Sequence, residues 1–443
     1  MTIWSPRLPE SPEPIYARIA DVLERDIRSG ILISGSQLPT HRDLARSLGI
    51  TPVTVTRAYA EAARRGLVES STGRGTFVRT ARASAVAPAT EIDLATNVVN
   101  IPLPLPSPAM LDRAARTLAS ATYAAGAGSE RHRAAGAAWV GRGTNPSSIV
   151  VTAGTQHAIL LAFAATARAG DTIVTEAVTY HGAKAVAAML GIRLEPLPLD
   201  RFGILPDALE RAVRGRGPKV LYTIPSLHNP TGIVFSEKRR RELAAVAEKH
   251  GVTIIEDDVC GFLLASTPPP IAAFAPERTI FLTGLGKALA PSLRVGYLAA
   301  PDALLPRLNS ALAASVLFAS PVTAELAASW IEDGTAAKIV ELKRAEVALR
   351  NRTARRILPK ASADPRSGHL WMELPKRWTP DAFADEARRR RVRVASATSF
   401  AVGRDVPRAV RVCIGSAASV AELEGALHVL AGIGEERIDE PVV

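Results

Sequence analysis

Cysteine is nearly absent from this chain. The two that occur among 443 residues, Cys260 and Cys413, are far apart and in no ligand-like spacing. That excludes a disulfide framework and a zinc site, and it fits a reducing cytoplasm. No uninterrupted apolar run approaches the ~20 residues that a bilayer crossing requires, so no membrane partner is expected. The opening M-T-I-W-S-P-R-L-P-E-S-P-E-P lacks a basic start followed by an apolar stretch, so it does not read as a secretory signal. Acidic residues also fall short, with 43 Asp and Glu against 54 Lys and Arg, a net charge of +11. The excess permits an acidic partner without naming one. It is denser at the N-terminus, where residues 1–82 carry 12 basic and 8 acidic side chains.

What is present describes a soluble globular protein, 47% hydrophobic and 22% charged, and too long for a single ordinary core. Apolar residues at Ile15, Ile19, Val22, Leu23 and Ile27 form a helical stripe. Thr40 to Leu48 reads as a short helix capped by Thr40, with Leu44, Ala45 and Leu48 inward. Gly49 suits a left-handed turn, and a further helix begins near Thr51 with Pro52 in its first position. Two short helices across a glycine turn make a helix-turn-helix. A strand from Leu67 to Ser70, a turn at Gly73-Arg74-Gly75 and a strand from Thr76 to Val78 follow as a hairpin wing.

On G-S-Q-L-P-T-H-R-D-L-A, T-V-T-R-A-Y and G-R-G-T-F-V, residues 14–79 resemble the GntR-type winged-helix DNA-binding domain, which implies double-stranded DNA as a partner. The helix from Pro52 would enter the major groove with its N-terminal residues nearest the bases. Thr51, Thr54 and Arg57 are the candidates there, and Arg42 and Arg74 are placed for phosphate or minor-groove contact. Where the family often has arginine this chain has Pro52, which removes one expected contact. We assign residues 1–80 to this domain and 81–92, rich in small residues, to a linker.

From residue 93 onward the motifs change. T-I-F-L-T-G-L-G-K-A-L-A-P-S-L-R-V-G, residues 279–296, reads as a strand emptying into a glycine-flanked turn that holds Lys287. A lysine amine among apolar and small residues suits Schiff-base chemistry, because desolvation disfavours its charged form. The segment resembles that of fold-type I, class I aminotransferase-like proteins, which bind pyridoxal 5′-phosphate. The resemblance covers essentially all of residues 93–443. It implies an α/β fold with a mostly parallel central sheet and a smaller α/β subdomain at about 301–443. It also implies that Lys287 forms the cofactor's internal aldimine and that Arg294 binds its phosphate.

Other motifs follow in family order. S-I-V-V-T-A-G-T-Q-H-A reads as strand, turn and helix, a geometry that aims free N–H groups at an anion, and by resemblance Gly154, Thr155 and Gln156 hold the phosphate. Tyr180 stands where the family stacks an aromatic ring on the pyridine, and Asn229, in H-N-P-T-G, where it hydrogen-bonds the phenolate oxygen. Asp257, at the end of V-T-I-I-E-D, stands where a carboxylate keeps the pyridine nitrogen protonated, the state that makes the ring an electron sink. Arg411, in A-V-R-V-C-I-G-S, matches the arginine that grips a ligand α-carboxylate. Arg408 is its rival, and strand residues following Arg411 favour the latter. Tyr123 and Arg133 fall in a stretch similar to one that reaches a partner subunit's cofactor. The proline-rich region 94–108 reads as an extended arm.

Two departures stand out. Cys260 replaces a tyrosine common in the family, and Gly284 and Gly286 replace hydroxyl residues before the lysine. They remove one tuning bond and one phosphate bond, and they make efficient transamination less expected. The whole arrangement is that of the MocR subgroup of GntR regulators. The reading it favours is a cytoplasmic, homodimeric transcription factor that senses an amino acid or amine by aldimine exchange at Lys287. The alternatives are a working aminotransferase carrying a DNA-binding domain and a DNA-binding protein whose body has lost the cofactor.

Overall fold

The computed structural model describes residues 4, 6, 8, 13–28, 32, 36–65, 67–71, 75–78, 91–120, 126–141 and 143–435. Arg74, Tyr123 and most of the linker assignment lie outside the described residues. The chain divides into two compact units, Met1–Thr90 and Glu91–Val443.

In the first unit, helices Ile15–Arg28, His41–Leu48 and Pro52–Arg64 are followed by antiparallel strands Val68–Ser71 and Gly75–Val78. Local chemistry sets the helix ends. Thr40 Oγ1 accepts from the Asp43 N–H and Thr51 Oγ1 from the Thr54 N–H, each satisfying an otherwise orphaned donor. Gly49 closes the second helix at φ 65°, where a Cβ would be strained. The apolar stripe turns inward, burying Ile19, Leu23, Leu44, Val55 and Ala58 in one core.

The second unit is built on a seven-stranded sheet. Its order is Ile149–Thr152, Gly296–Ala299, Thr279–Gly284, Thr253–Asp257, Val220–Thr223, Thr172–Glu176, Arg193–Leu197. Only the two ladders involving Gly296–Ala299 are antiparallel, and the other four are parallel. Central strands such as I-I-E-D and V-L-Y-T are buried along their length. Burial on both faces is what a sheet covered on both sides demands. Helices Leu305–Ser315 and Pro321–Glu332 pack into the cores around this sheet.

A second layer consists of an antiparallel sheet in the order His369–Glu373, Ala409–Cys413, Ala395–Ser396. Its core also takes in Leu94, because the strand Ile92–Asp93 pairs in parallel with Val392–Arg393. Between the layers runs the helix Thr335–Ile357, which spends side-chain donors on loop carbonyls. Lys343 bonds Lys287 and Leu289, Arg344 bonds Phe262 and Leu264, and Arg350 bonds Ile414 and Ala417. Asn351 holds Ser367 and Arg355 holds Ala363. Loop backbone without a ladder partner is thereby satisfied.

Candidate functional site

Four neighbouring parallel strands end on the same side of the large sheet, and each delivers one candidate. Tyr180 follows Thr172–Glu176, Asn229 follows Val220–Thr223, Asp257 ends Thr253–Asp257, and Lys287 follows Thr279–Gly284. Carboxyl ends of parallel strands are where such sheets present ligands. The side chains line one cavity of about 240 Å³, together with Gly154, Thr155, Gln156 and Arg294. Sequence-predicted residues spread over 141 positions thus meet in one place.

The electrostatics are asymmetric. Asp257 is buried, and its Oδ2 accepts a 2.7 Å hydrogen bond from the Tyr222 hydroxyl, while Oδ1 has no protein partner. Burial pushes the carboxyl up to about 6, although the Tyr222 bond and the Lys287 charge pull the other way. Burial, followed by the charge of Asp257, keeps the Tyr222 phenol protonated and therefore donating. Lys287 Nζ lies 5.9 Å from the centre of the Tyr180 ring and 4.0 Å from Cys260 Sγ. Burial raises the Cys260 thiol, so it stands by the lysine as a neutral group whose sulfur accepts weakly from Nζ.

At the other end of the cavity, helix Thr155–Thr166 begins with no side-chain cap, leaving its first N–H groups for an anion. Gly154 is required there: its φ is 87°, and a Cβ would lie 2.9 Å from the Arg294 guanidinium. Arg294 itself adopts φ 49° and donates to the Ala153 carbonyl at 3.2 Å. Such a conformation at a non-glycine residue is a cost met elsewhere in the fold. The two glycine departures differ sharply. A Cβ on Gly284 would fall 2.1 Å from Thr155 Oγ1, whereas one on Gly286 would approach nothing closer than Pro291 Cα at 3.9 Å. The Thr155 hydroxyl already occupies the space that a Gly284 side chain would need.

Arg411 stands behind the lining. It is buried, with one terminal nitrogen donating to Asn229 Oδ1 at 2.6 Å and the other to the Ala95 carbonyl at 2.5 Å. Its Cζ lies 4.7 Å from the Phe400 ring centre. Because Asn229 spends its oxygen on Arg411, its NH₂ remains to face the cavity, the donor a phenolate would need. Arg408 is exposed and bonds the Lys376 carbonyl, away from the cavity wall. Arg133 is not among the residues lining the cavity.

Sequence reasoning missed several contributors. Thr96, Asn97 and Val98 of the arm form part of the wall. Asn97 donates to Nδ1 of the buried His369 at 3.2 Å, and His369 Nε2 donates to the His228 carbonyl. Burial, aided by the Arg411 charge, holds His369 down at about 3 and hence neutral. Tyr222 and Lys343 were also unassigned. Tyr222 carries a usable signal, an aromatic hydroxyl in an otherwise apolar strand, since a buried hydroxyl needs a partner.

In the first unit, Thr51, Pro52, Val53, Thr56 and Arg57 form the exposed face of helix Pro52–Arg64, and Val53 is 64% exposed. The Thr51 hydroxyl is engaged with the Thr54 N–H and hydroxyl, and the Thr56 hydroxyl donates to the Pro52 carbonyl. Thr51 and Thr54 thus also form the helix cap. The arginines sort by partner: Arg46 pairs with Asp43, and Arg64 and Arg65 with Glu61, whereas Arg42 and Arg57 have no carboxylate partner among the described residues.

A three-helix unit with a wing, joined to a body whose strand ends gather a lysine, an aspartate and an anion cradle, defines a DNA-binding regulator with an aminotransferase-like body. The family models agree. "Aminotransferase class I and II" matches residues 90–430 and "Bacterial regulatory proteins, gntR family" matches residues 15–78. The chain belongs to the aminotransferase class I and II family and has the MocR architecture, a transcriptional regulator with a gntR-family domain in front.

It is 30% identical to the uncharacterized HTH-type transcriptional regulator YdeF of Bacillus subtilis over 96% of both chains. It is 24% identical to the uncharacterized HTH-type transcriptional regulator YjiR of Escherichia coli, over 87% of this chain and 91% of that one. Among solved structures, an archaeal alanine:glyoxylate aminotransferase matches with TM-score 0.70 and 25% identity, covering 79% of this chain and 92% of that one. LysN, the α-aminoadipate aminotransferase of Thermus thermophilus, shares the fold at TM-score 0.68 and 24% identity, covering 85% and 97%. That structure holds N-(5′-phosphopyridoxyl)-L-leucine.

Family membership implies pyridoxal 5′-phosphate, and the residues fit it. The unpartnered Asp257 Oδ1 is an acceptor for a pyridinium N–H. Gly154, the uncapped helix and Arg294 make a cradle for a phosphate, and Lys287 supplies an amine between them.

Proposed function

We propose that this protein is a pyridoxal phosphate-dependent transcription factor that senses an amino acid or amine at Lys287. The observation that carries the reading is the pairing in one cavity of Lys287 with an aspartate whose Oδ1 is buried and unpartnered. A buried acceptor left unpaired costs about 1–3 kcal/mol or more when charged, and a pyridinium donor relieves that cost. When bound, the cofactor supplies an aldehyde for which Lys287 and a ligand amine compete.

The protein's own groups do the rest. Thr155, Gln156 and Arg294 hold the phosphate end, Asp257 retains the proton on the ring nitrogen, and the Asn229 NH₂ orients the ring oxygen. Tyr180 covers one face. Arg42 and Arg74 contact DNA phosphates or the minor groove, and Arg57 reaches the base edges with Thr51 and Thr54. The protein acts in the cytoplasm as a homodimer, whose two DNA-binding units read two half-sites. To regulate, the ligand must favour one arrangement of the protein over another.

The neutral thiol of Cys260 and the glycine at 286 leave fewer groups to hold and move protons than a dedicated aminotransferase would need. The test combines the visible absorbance of the cofactor-loaded protein with DNA retention on the promoter of its own operon, while amino acids and amines are added. A spectral shift that changes retention without keto-acid release supports the sensor. Sustained keto-acid production with unchanged retention would make the protein an aminotransferase instead.

A further inference from the structure

The segment through which the chain enters the second unit also forms the cavity wall. Glu91 pairs with Arg388 at 3.2 Å, and Asp93 with Arg393. Asp93 then turns back on its own chain: Oδ1 accepts the N–H groups of Ala95 and Thr96 at 2.8 and 3.1 Å, and Oδ2 accepts the Thr96 hydroxyl at 2.6 Å. Burial pushes the Asp93 carboxyl up, but Arg393 and these local donors outweigh it and bring it to about 2. Three residues on, Thr96, Asn97 and Val98 line the cavity. From linker root to cavity wall the chain is thus eight residues, pinned at both ends.

The pin at the cavity end is Arg411. It reaches the Ala95 carbonyl with one nitrogen and Asn229 Oδ1 with the other, and both acceptors are neutral. An ionised carboxylate can take two guanidinium nitrogens at once in a bidentate pair, which neither neutral acceptor does. The Ala95 carbonyl also accepts the Cys413 thiol at 3.6 Å, so it would not be orphaned by losing Arg411.

Resting on the sensor reading, we propose that Arg411 couples ligand to linker: a ligand carboxylate takes the guanidinium from the Ala95 carbonyl and loosens segment 91–98. The productive effectors are therefore amino acids. Plain amines occupy the site without transmitting a signal.

The test is hydrogen–deuterium exchange in the full-length, cofactor-loaded protein. It follows the Ile92 and Leu94 amides, which donate to the Arg391 and Arg393 carbonyls at 2.7 and 2.8 Å. The probes are L-alanine and L-phenylalanine against ethylamine and 2-phenylethylamine, with cofactor absorbance recorded in parallel. Amino acids are expected to shift the absorbance and speed exchange at both amides by about tenfold, since local opening sets the exchange rate; amines should shift the absorbance alone. Arg411→Gln should abolish the exchange response. Glu91→Gln, remote from the cavity lining, should speed exchange without ligand and leave the absorbance response intact. Equal exchange changes from amines and amino acids would overturn the proposal, as would an amino-acid spectral shift with unchanged exchange. If no probe shifts the absorbance, the sensor reading itself fails and takes the coupling with it.

Discussion

The Tyr222 hydroxyl donates to one oxygen of Asp257 at 2.7 Å and leaves the other oxygen buried and without a protein partner. Tyr222 sits opposite Ile255 in the parallel ladder, two residues before the aspartate, so the bond slants along the sheet. It fixes which carboxylate oxygen is spent and which is kept for a ligand. Without cofactor the arrangement is a liability. Burial raises the Asp257 carboxyl from 3.8 to about 6, so the folded state favours the protonated form. This group's contribution to stability is therefore greatest below pH 4 and falls as pH rises through about 6. Asp257→Asn removes that fall: the cofactor-free variant should be more stable than the parent at pH 8 by on the order of 3 kcal/mol and equal to it near pH 3.5. The check is denaturant unfolding at both pH values. The same variant should lose most of its cofactor affinity by absorbance titration.

Lys343 is buried and donates to the carbonyls of Lys287 and Leu289 at 2.7 and 2.9 Å. The helix that bears Lys287 is one turn long, Leu285–Ala288, and Lys343 bonds carbonyls at its C-terminal end. Lys343→Met should cost about 1–3 kcal/mol for the orphaned acceptors. Because those carbonyls belong to the lysine turn, the variant should also reduce the gain in Tm on cofactor addition. An equal drop with and without cofactor would mean that Lys343 supports the fold and not the turn. Burial also lowers the Lys343 ammonium from 10.5 to about 8. In that window the unfolded chain holds the proton and the folded one does not, so this group's contribution to stability rises from pH 8 to 10.5.

The two glycines before the lysine should respond differently. Gly284→Ala places a Cβ 2.1 Å from Thr155 Oγ1 and should cost about 1–3 kcal/mol. Adding Thr155→Ala should restore most of that loss. Gly286→Ala meets only ordinary contact distance and should fold with near-parent stability. Thermal unfolding of the three variants tests both statements, and a tolerated Gly284→Ala would show that the threonine turns away freely.

On DNA, Arg42→Ala should weaken binding across all sequences and reduce the salt slope by about one, whereas Arg57→Ala should weaken binding and relax sequence preference. Arg46→Ala removes a charge already paired with Asp43 and should change less. Fluorescence anisotropy with duplexes at several salt concentrations separates these outcomes.

Local chemistry was legible in the sequence. Thr40, Gly49, Thr51 and Pro52 mark helix ends by rules acting within four residues, and the winged-helix unit follows from them. The order Asn229, Asp257, Lys287, Arg294 was equally readable, because Asn229, Asp257 and Lys287 each follow or end a strand and Arg294 comes seven residues after the lysine. What escaped depends on distant chain. The Tyr222 to Asp257 bond is set by strand register, the wall at Thr96–Val98 by a strand pairing 300 positions away, and Lys343 by helix packing across 56 residues. Thr51 and Thr54 were assigned to bases because their positions on the helix are right. Their hydroxyls also serve the cap, a second role that position alone does not reveal.

The helix Thr335–Ile357 holds four loops by donors at 343, 344, 350, 351 and 355. Each residue turns an α-helix by about 100°, so these anchors fall on one face, within an arc of about 140°. Deleting one residue between 335 and 343 would rotate all five away from their carbonyls together. Exposed positions on the opposite side, such as Leu342 and Leu349, answer to no such constraint. This helix should therefore accept substitutions on its outer face while rejecting any change of length.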